Sequence, residues 1–174
     1  MNKRSLGCSL AMAMLLVPTA PTARSDDDDD ARFRAELRGF HEVPAGISTR
    51  AKGDFQARLV DDGATLSFRL RYSGIEGGAV LFAHIHLGEQ HVAGGVISFL
   101  CGGGGKLACP SPGGTVEGSI TATDVIGPVG QGITAGEFDE LIRAMRQGAT
   151  YVNVHSTNFP AGELRGQIRR HGDD

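Results

Sequence analysis

The stretch DFQARLVDDGATLSFRLRY, Asp54–Tyr72, holds two alternating runs on either side of a turn signal. Phe55, Ala57 and Leu59 face one way, and Asp54, Gln56 and Arg58 the other. After Asp61-Asp62-Gly63, Leu66, Phe68 and Leu70 alternate with Thr65, Ser67, Arg69 and Arg71. Side chains of a strand point alternately to opposite faces, so each run is a half-buried strand, and the Asp-Gly turn makes the pair an antiparallel hairpin. The same alternation recurs outward in both directions. RFRAELR (Arg32–Arg38) precedes the hairpin, and TVEGSIT (Thr115–Thr121) and GELRGQI (Gly162–Ile168) follow it. One segment breaks the pattern. In TAGEFDELIRAMRQG, Thr134 and Glu137 have capping-box spacing, Phe138, Leu141, Ile142 and Met145 fall on one helical stripe, and Gly148 sits where a helix C-cap belongs. The 26 glycines follow no collagen period and suit tight turns and bulges. The expected fold is mainly β: an antiparallel Greek-key β-sandwich or flattened barrel of about eight strands with one short amphipathic helix.

The start of the chain belongs to a different class. Residues 1–25 have a basic beginning (Lys3, Arg4), an apolar run from Leu6 to Val17 and small residues before Ser25, the layout of a secretory signal peptide. The apolar run is shorter than the roughly 20 residues a membrane span needs. Cys8 precedes that run, whereas a lipidated cysteine would follow it. The expectation is a secreted or periplasmic protein with no membrane span after signal removal. Residues 26–31 then form an acidic, disordered leader, residues 32–170 a single β domain and residues 171–174 a tail. The formal net charge of −3, with five consecutive aspartates at 26–30, argues against a nucleic-acid partner. In an oxidising compartment Cys101 and Cys109 are expected to form a disulfide closing CGGGGKLAC, since zinc would need more sulfur ligands at another spacing.

The chemistry-bearing residues concentrate in FAHIHLGEQH, Phe82–His91, which holds three of the six histidines. Alternation puts Leu81, Ala83, Ile85 and Leu87 on the core side and Phe82, His84 and His86 on the other, with the two imidazoles about 6–7 Å apart along the strand. In TYVNVHS, Val152 and Val154 point inward and leave Tyr151, Asn153 and His155 outward. In GELRGQI, Leu164 and Ile168 point inward and leave Glu163, Arg165 and Gln167 outward. If these strands are neighbours, the groups form one polar cluster on the sheet surface. Imidazole suits copper and zinc, so His84, His86 and His155 are candidate ligands, with His41, His91 or Glu163 completing the set. A hydrogen-bonded network fixing loops such as GFHEVPAG is the simpler account of the same residues and stands ahead of metal ligation. No nucleophile elbow, zinc-protease motif or phosphate loop is present, and the cluster favours a binding protein over an enzyme.

AELRGFHEVP (Ala35–Pro44), YSGI (Tyr72–Ile75), AHIHLG (Ala83–Gly88), YVNVHS (Tyr151–Ser156) and PAGELRGQI (Pro160–Ile168), taken in order, resemble the signature of the chordin-type CHRD domain family. The resemblance implies an extracellular β-rich interaction module, as in animal chordin and in many exported microbial proteins. It supplies no catalytic residues. Ala45, where a second proline is usual, and the cysteine-closed glycine loop depart from the pattern. His-x-His on a strand is also similar to copper/zinc superoxide dismutase, a likeness confined to that spacing and the expected architecture. The expected function is an exported binding domain for an unidentified protein or small ligand, acting through the polar face of His84, His86, Tyr151, Asn153, His155 and Arg165. The alternatives are copper or zinc binding there, for storage or dismutase-like redox chemistry, and a structural, envelope-associated domain.

Overall fold

The computed structural model describes residues 31–172, so the segment expected to be a signal peptide (with Cys8), the aspartate run and the last two residues lie outside the described residues. The Asp54–Tyr72 hairpin forms as its pattern dictates: β2 (Lys52–Val60) pairs antiparallel with β3 (Thr65–Ser73) without a register break, Phe55 opposite Leu70 and Val60 opposite Thr65. Asp61, Asp62 and Gly63 all take positive φ (55°, 53° and 82°), the left-handed backbone that Asp tolerates and Gly prefers, and this turns the chain back.

Around it stand β1 (Arg32–Arg38), β4 (Val80–Leu87), β5 (Val96–Cys101), β6 (Gly114–Ile120), β7 (Thr150–Ser156), β8 (Leu164–Gln167) and a two-residue β9 (Arg169–Arg170). Their order in the sheet is β5-β4-β7-β8-β1-β2-β3-β6, with β9 also on β1. Every pairing is antiparallel. The strands make one sheet that curls into a nearly closed barrel. Its two ends, β5 and β6, are consecutive in sequence and approach each other, and the connection between them carries the Cys101–Cys109 disulfide. The expected fold class holds, in its barrel form.

Inward-facing residues of all the long strands merge into one core, including Phe33, Leu37, Phe55, Leu66, Leu70, Ile85, Ile97, Val152, Val154 and Leu164. The helix α1 (Phe138–Arg146) adds Phe138, Leu141, Ile142 and Met145 to that same core. It starts three residues later than its capping-box spacing predicts. Gly136, at φ +91°, holds the chain in a non-helical turn, where the Glu137 carboxylate accepts from the Thr134 amide at 2.5 Å. The C-terminal stop is as expected, with Gly148 at φ +67° just past the last helical turn. Ala31 is buried, and its carbonyl accepts from the Leu59 amide, so the ordered domain already includes the last residue assigned to the leader. No helix among the described residues is long and apolar enough to cross a membrane.

Candidate metal centre

The outer face of β4, β7 and β8 gathers the polar residues that the alternation set apart. In register, Phe82 lies opposite His155, His84 opposite Asn153 and then Arg165, and His86 opposite Tyr151 and then Gln167. The three strands are neighbours, so residues 70 positions apart in sequence meet in one patch.

The patch is not a free surface. His84, His86 and His155 are 7–8% exposed and Tyr151, Asn153 and Arg165 less still. Alternation identifies which face is polar but not what lies over it, and three loops cover this one. From the Gly88–Gly95 loop, the Gly94 carbonyl accepts from His86 Nδ1 at 3.0 Å, and the Gly94 amide donates to the Tyr151 hydroxyl at 3.1 Å. From the turn after β7, the Pro160 carbonyl accepts from His155 Nδ1 at 3.0 Å. From the segment after β1, the Glu42 carboxylate accepts from Asn153 Nδ2 at 2.8 Å.

These contacts assign the imidazole protons. A carbonyl can only accept, so His86 and His155 each carry a proton on Nδ1 and present a bare lone pair on Nε2. His155 Nε2 lies 3.1 Å from His84 Nδ1, which is therefore the donor of that pair. His84 Nε2 and His86 Nε2 are buried without a protein partner. The facing ring nitrogens of the three histidines lie within 4.8 Å of one another. Burial pushes His84 down to about 3, with the neighbouring His155 and His86 adding to the effect. Burial likewise pushes His86 down to about 4 and lowers His155, each partly opposed by its carbonyl contact. All three are neutral at physiological pH, the form in which imidazole binds a metal.

Aromatic contacts fix the ring planes. Phe82 stacks on His84 with centroids 5.7 Å apart, and Phe99 meets the same imidazole edge-on at 4.4 Å. Tyr151 stacks flat on His86, centroids 4.7 Å and planes 8° apart, and the Arg165 guanidinium lies 3.4 Å over the Tyr151 ring. Arg165 also donates to the carbonyls of Glu89 and Val92, at 3.0 and 2.8 Å, which ties down the loop bearing the His86 acceptor.

The remaining sequence candidates lie elsewhere. His41 and His91 line a cleft of about 390 Å³ with Gln90 and Arg169. Glu163, fully buried, does not share the outer face: its carboxylate accepts from Thr49 Oγ1, the Glu76 and Gly77 amides and Ser156 Oγ, at 2.6–3.0 Å. It precedes the first regular pair of β8, Leu164 with Val154, so strand alternation does not govern it. Sequence reasoning missed Glu42. Its carboxyl is buried and pushed up to about 7, against the opposing pull of its Asn153 hydrogen bond and the Arg165 charge. It falls within HEVP, an element already singled out, but no periodicity marked it.

A family model described as the CHRD domain matches residues 33–168. The chain belongs to the CHRD domain family. No curated protein and no solved structure matches it. Four of the five sequence elements that carry the CHRD resemblance meet at this site: HEVP brings Glu42, AHIHLG brings His84 and His86, YVNVHS brings Tyr151, Asn153 and His155, and PAGELRG brings the Pro160 carbonyl and Arg165.

Proposed function

We propose that this CHRD domain is an exported binding domain whose ligand is a transition-metal ion, copper or zinc, held by His84, His86 and His155. The observation that carries the proposal is the convergence of three neutral imidazoles, two of them oriented by an Nδ1–H bond to a main-chain carbonyl. Metal-bound histidines characteristically make that second bond, because it fixes the tautomer and raises the basicity of the ligating nitrogen.

The donor set fits the group. Two nitrogens on one tetrahedral zinc stand about 3.3 Å apart, from bond lengths near 2.0–2.1 Å. The 3.1 Å between His84 Nδ1 and His155 Nε2 is close to that, so a metal would take the place of the proton on His84 Nδ1, which would move to His84 Nε2, and a ring rotation would bring His86 into the set. A metal would also occupy the buried His86 Nε2 lone pair, which the protein leaves unpaired. Copper would supply one-electron chemistry and zinc Lewis acidity, whereas storage needs neither. Export is supported by the signal-like first 25 residues and by the Cys101–Cys109 bridge.

The His84–His155 hydrogen bond supports a second reading, a purely structural network serving a domain that binds a protein or small ligand. Elemental mass spectrometry of untagged protein purified from the exported fraction separates the two. Near-stoichiometric copper or zinc in the wild type, lost in a folded His84→Ala variant, is the expected result. Absence of metal, both as purified and after titration with either ion, would defeat the metal reading and leave the network.

A further inference from the structure

Resting on that metal reading, we infer that the centre keeps one coordination position for an exchangeable ligand, water or a small anion, and is not a closed structural site. Structural zinc sites are closed by four protein ligands, whereas sites that exchange a ligand use three. Here the other histidine, cysteine and carboxylate groups near the trio are engaged elsewhere, and the oxygens left unpartnered on the same face, Asn153 Oδ1 and Gln167 Oε1, are neutral amides outside the donor set that zinc takes. Glu163 is taken up by four hydrogen-bond donors on the far side of the β7–β8 turn. The Glu42 carboxylate is engaged by Asn153. The Tyr151 hydroxyl is held at Gly94 and both cysteines of the barrel are bridged to each other. His41 and His91 are exposed and line a cleft that runs to Arg165 and Gln167, outside the group of side chains close enough to share an ion. Among the described residues, the trio is the one group of histidine, cysteine and carboxylate side chains close enough to share an ion.

Charge and access specify the ligand class. Three neutral imidazoles leave the charge of a divalent ion uncompensated, and Arg165, on the strand next to that of His155 and on the same face, adds positive charge. The centre therefore favours an anion over a neutral donor. Each histidine retains a few per cent of exposure, and Phe82, 37% exposed, stacks on His84 and stands edge-on to His155 at the rim. An aromatic rim of that kind admits a small ligand and disfavours a bulky polar one. The exchanging species is hydroxide or another small monoanion, bound directly to the metal.

The test uses the mature protein loaded with Co²⁺, whose visible spectrum reports coordination, and azide as the probe anion. The expected result is one cobalt per chain and a saturable spectral change at one azide per cobalt, unaltered in a His41→Ala/His91→Ala double variant. One cobalt per chain with a spectrum indifferent to azide would overturn the inference while leaving the metal reading intact. So would an azide response that appears only in the double variant, since one of those histidines would then be closing the site. Failure to take up cobalt, copper or zinc at all would overturn the metal reading and this inference together.

Discussion

At the scale of single residues, the cluster of buried imidazoles is costly to hold, and its titration shows the sign of that cost. His84 and His86, lowered to about 3 and 4 from an ordinary 6.5, bind protons in the unfolded chain that they do not bind when folded. Their stabilisation is present above about pH 6.5 and is lost as pH falls toward 4 and then 3. Glu42, raised from 4.5 to about 7, has the opposite effect: its contribution is full below 4.5 and is lost as pH rises through 7. The histidines outnumber it, so the melting temperature of the metal-free protein rises from pH 4.5 to 6.5. Glu42→Gln removes the opposing contribution and should steepen that rise, as thermal denaturation across this range would show. Glu163 poses a different test. Glu163→Gln preserves shape but sets an amide against donors that need an acceptor, and should cost about 1–3 kcal/mol in denaturant unfolding with metal affinity unchanged. A loss of metal with no loss of stability would place Glu163 at the centre after all.

At the scale of elements, the Gly88–Gly95 loop is the part of the site most open to disruption. A Cβ on Gly94 would fall 1.5 Å from the Leu87 carbonyl oxygen, so no side chain fits there without moving the loop. Gly94→Ala should shift the carbonyl that orients His86 and lower metal affinity about 10–100-fold, as isothermal titration would measure, while the core keeps its packing. Arg165→Lys makes the milder version of the same change. Lysine keeps the charge but loses the planar group that both stacks on Tyr151 and reaches two carbonyls, so affinity should fall by less than in Gly94→Ala. Equal affinity in both variants and the wild type would mean that the loop covers the site without shaping it.

At the scale of the whole molecule, the disulfide closes a loop in the connection between the two strands where the barrel fails to close. β5 and β6 are not paired with each other, and the nine-residue segment from Cys101 to Cys109 forms a closed loop at the end of β5, in the connection between them. Ile126 donates its amide to the Ile97 carbonyl and covers part of the open edge of β5. Replacing both cysteines by serine should cost about 2–3 kcal/mol by loop-closure entropy, visible as a lower denaturation midpoint. The loop also bears on the site at a distance. Gly103 and Gly104 pack against the Phe99 ring, and that ring meets His84 edge-on. Reduction of the bridge should therefore broaden the metal-site spectrum before the barrel unfolds.

The sequence by itself determined what local physics can determine. Alternation along Asp54–Tyr72 fixed the hairpin and its faces, because a one-residue slip would turn Phe55, Phe68 and Leu70 out to water. The helical stripe, the stop at Gly148 and the cysteine pairing were legible for similar reasons, and so was the shared face of His84 and His86. The start of α1 was not, because Gly136 overrides the capping-box spacing. Tertiary structure alone decided that β4, β7 and β8 lie side by side, which turns three weak patterns into one cluster. It alone decided that loops bury the cluster, that Gly94 and Pro160 orient the imidazoles, that Glu42 joins and that Glu163 does not. Those outcomes depend on which strands pair and which loops cross them, and pairing between segments some 70 residues apart leaves no mark in the period of either one.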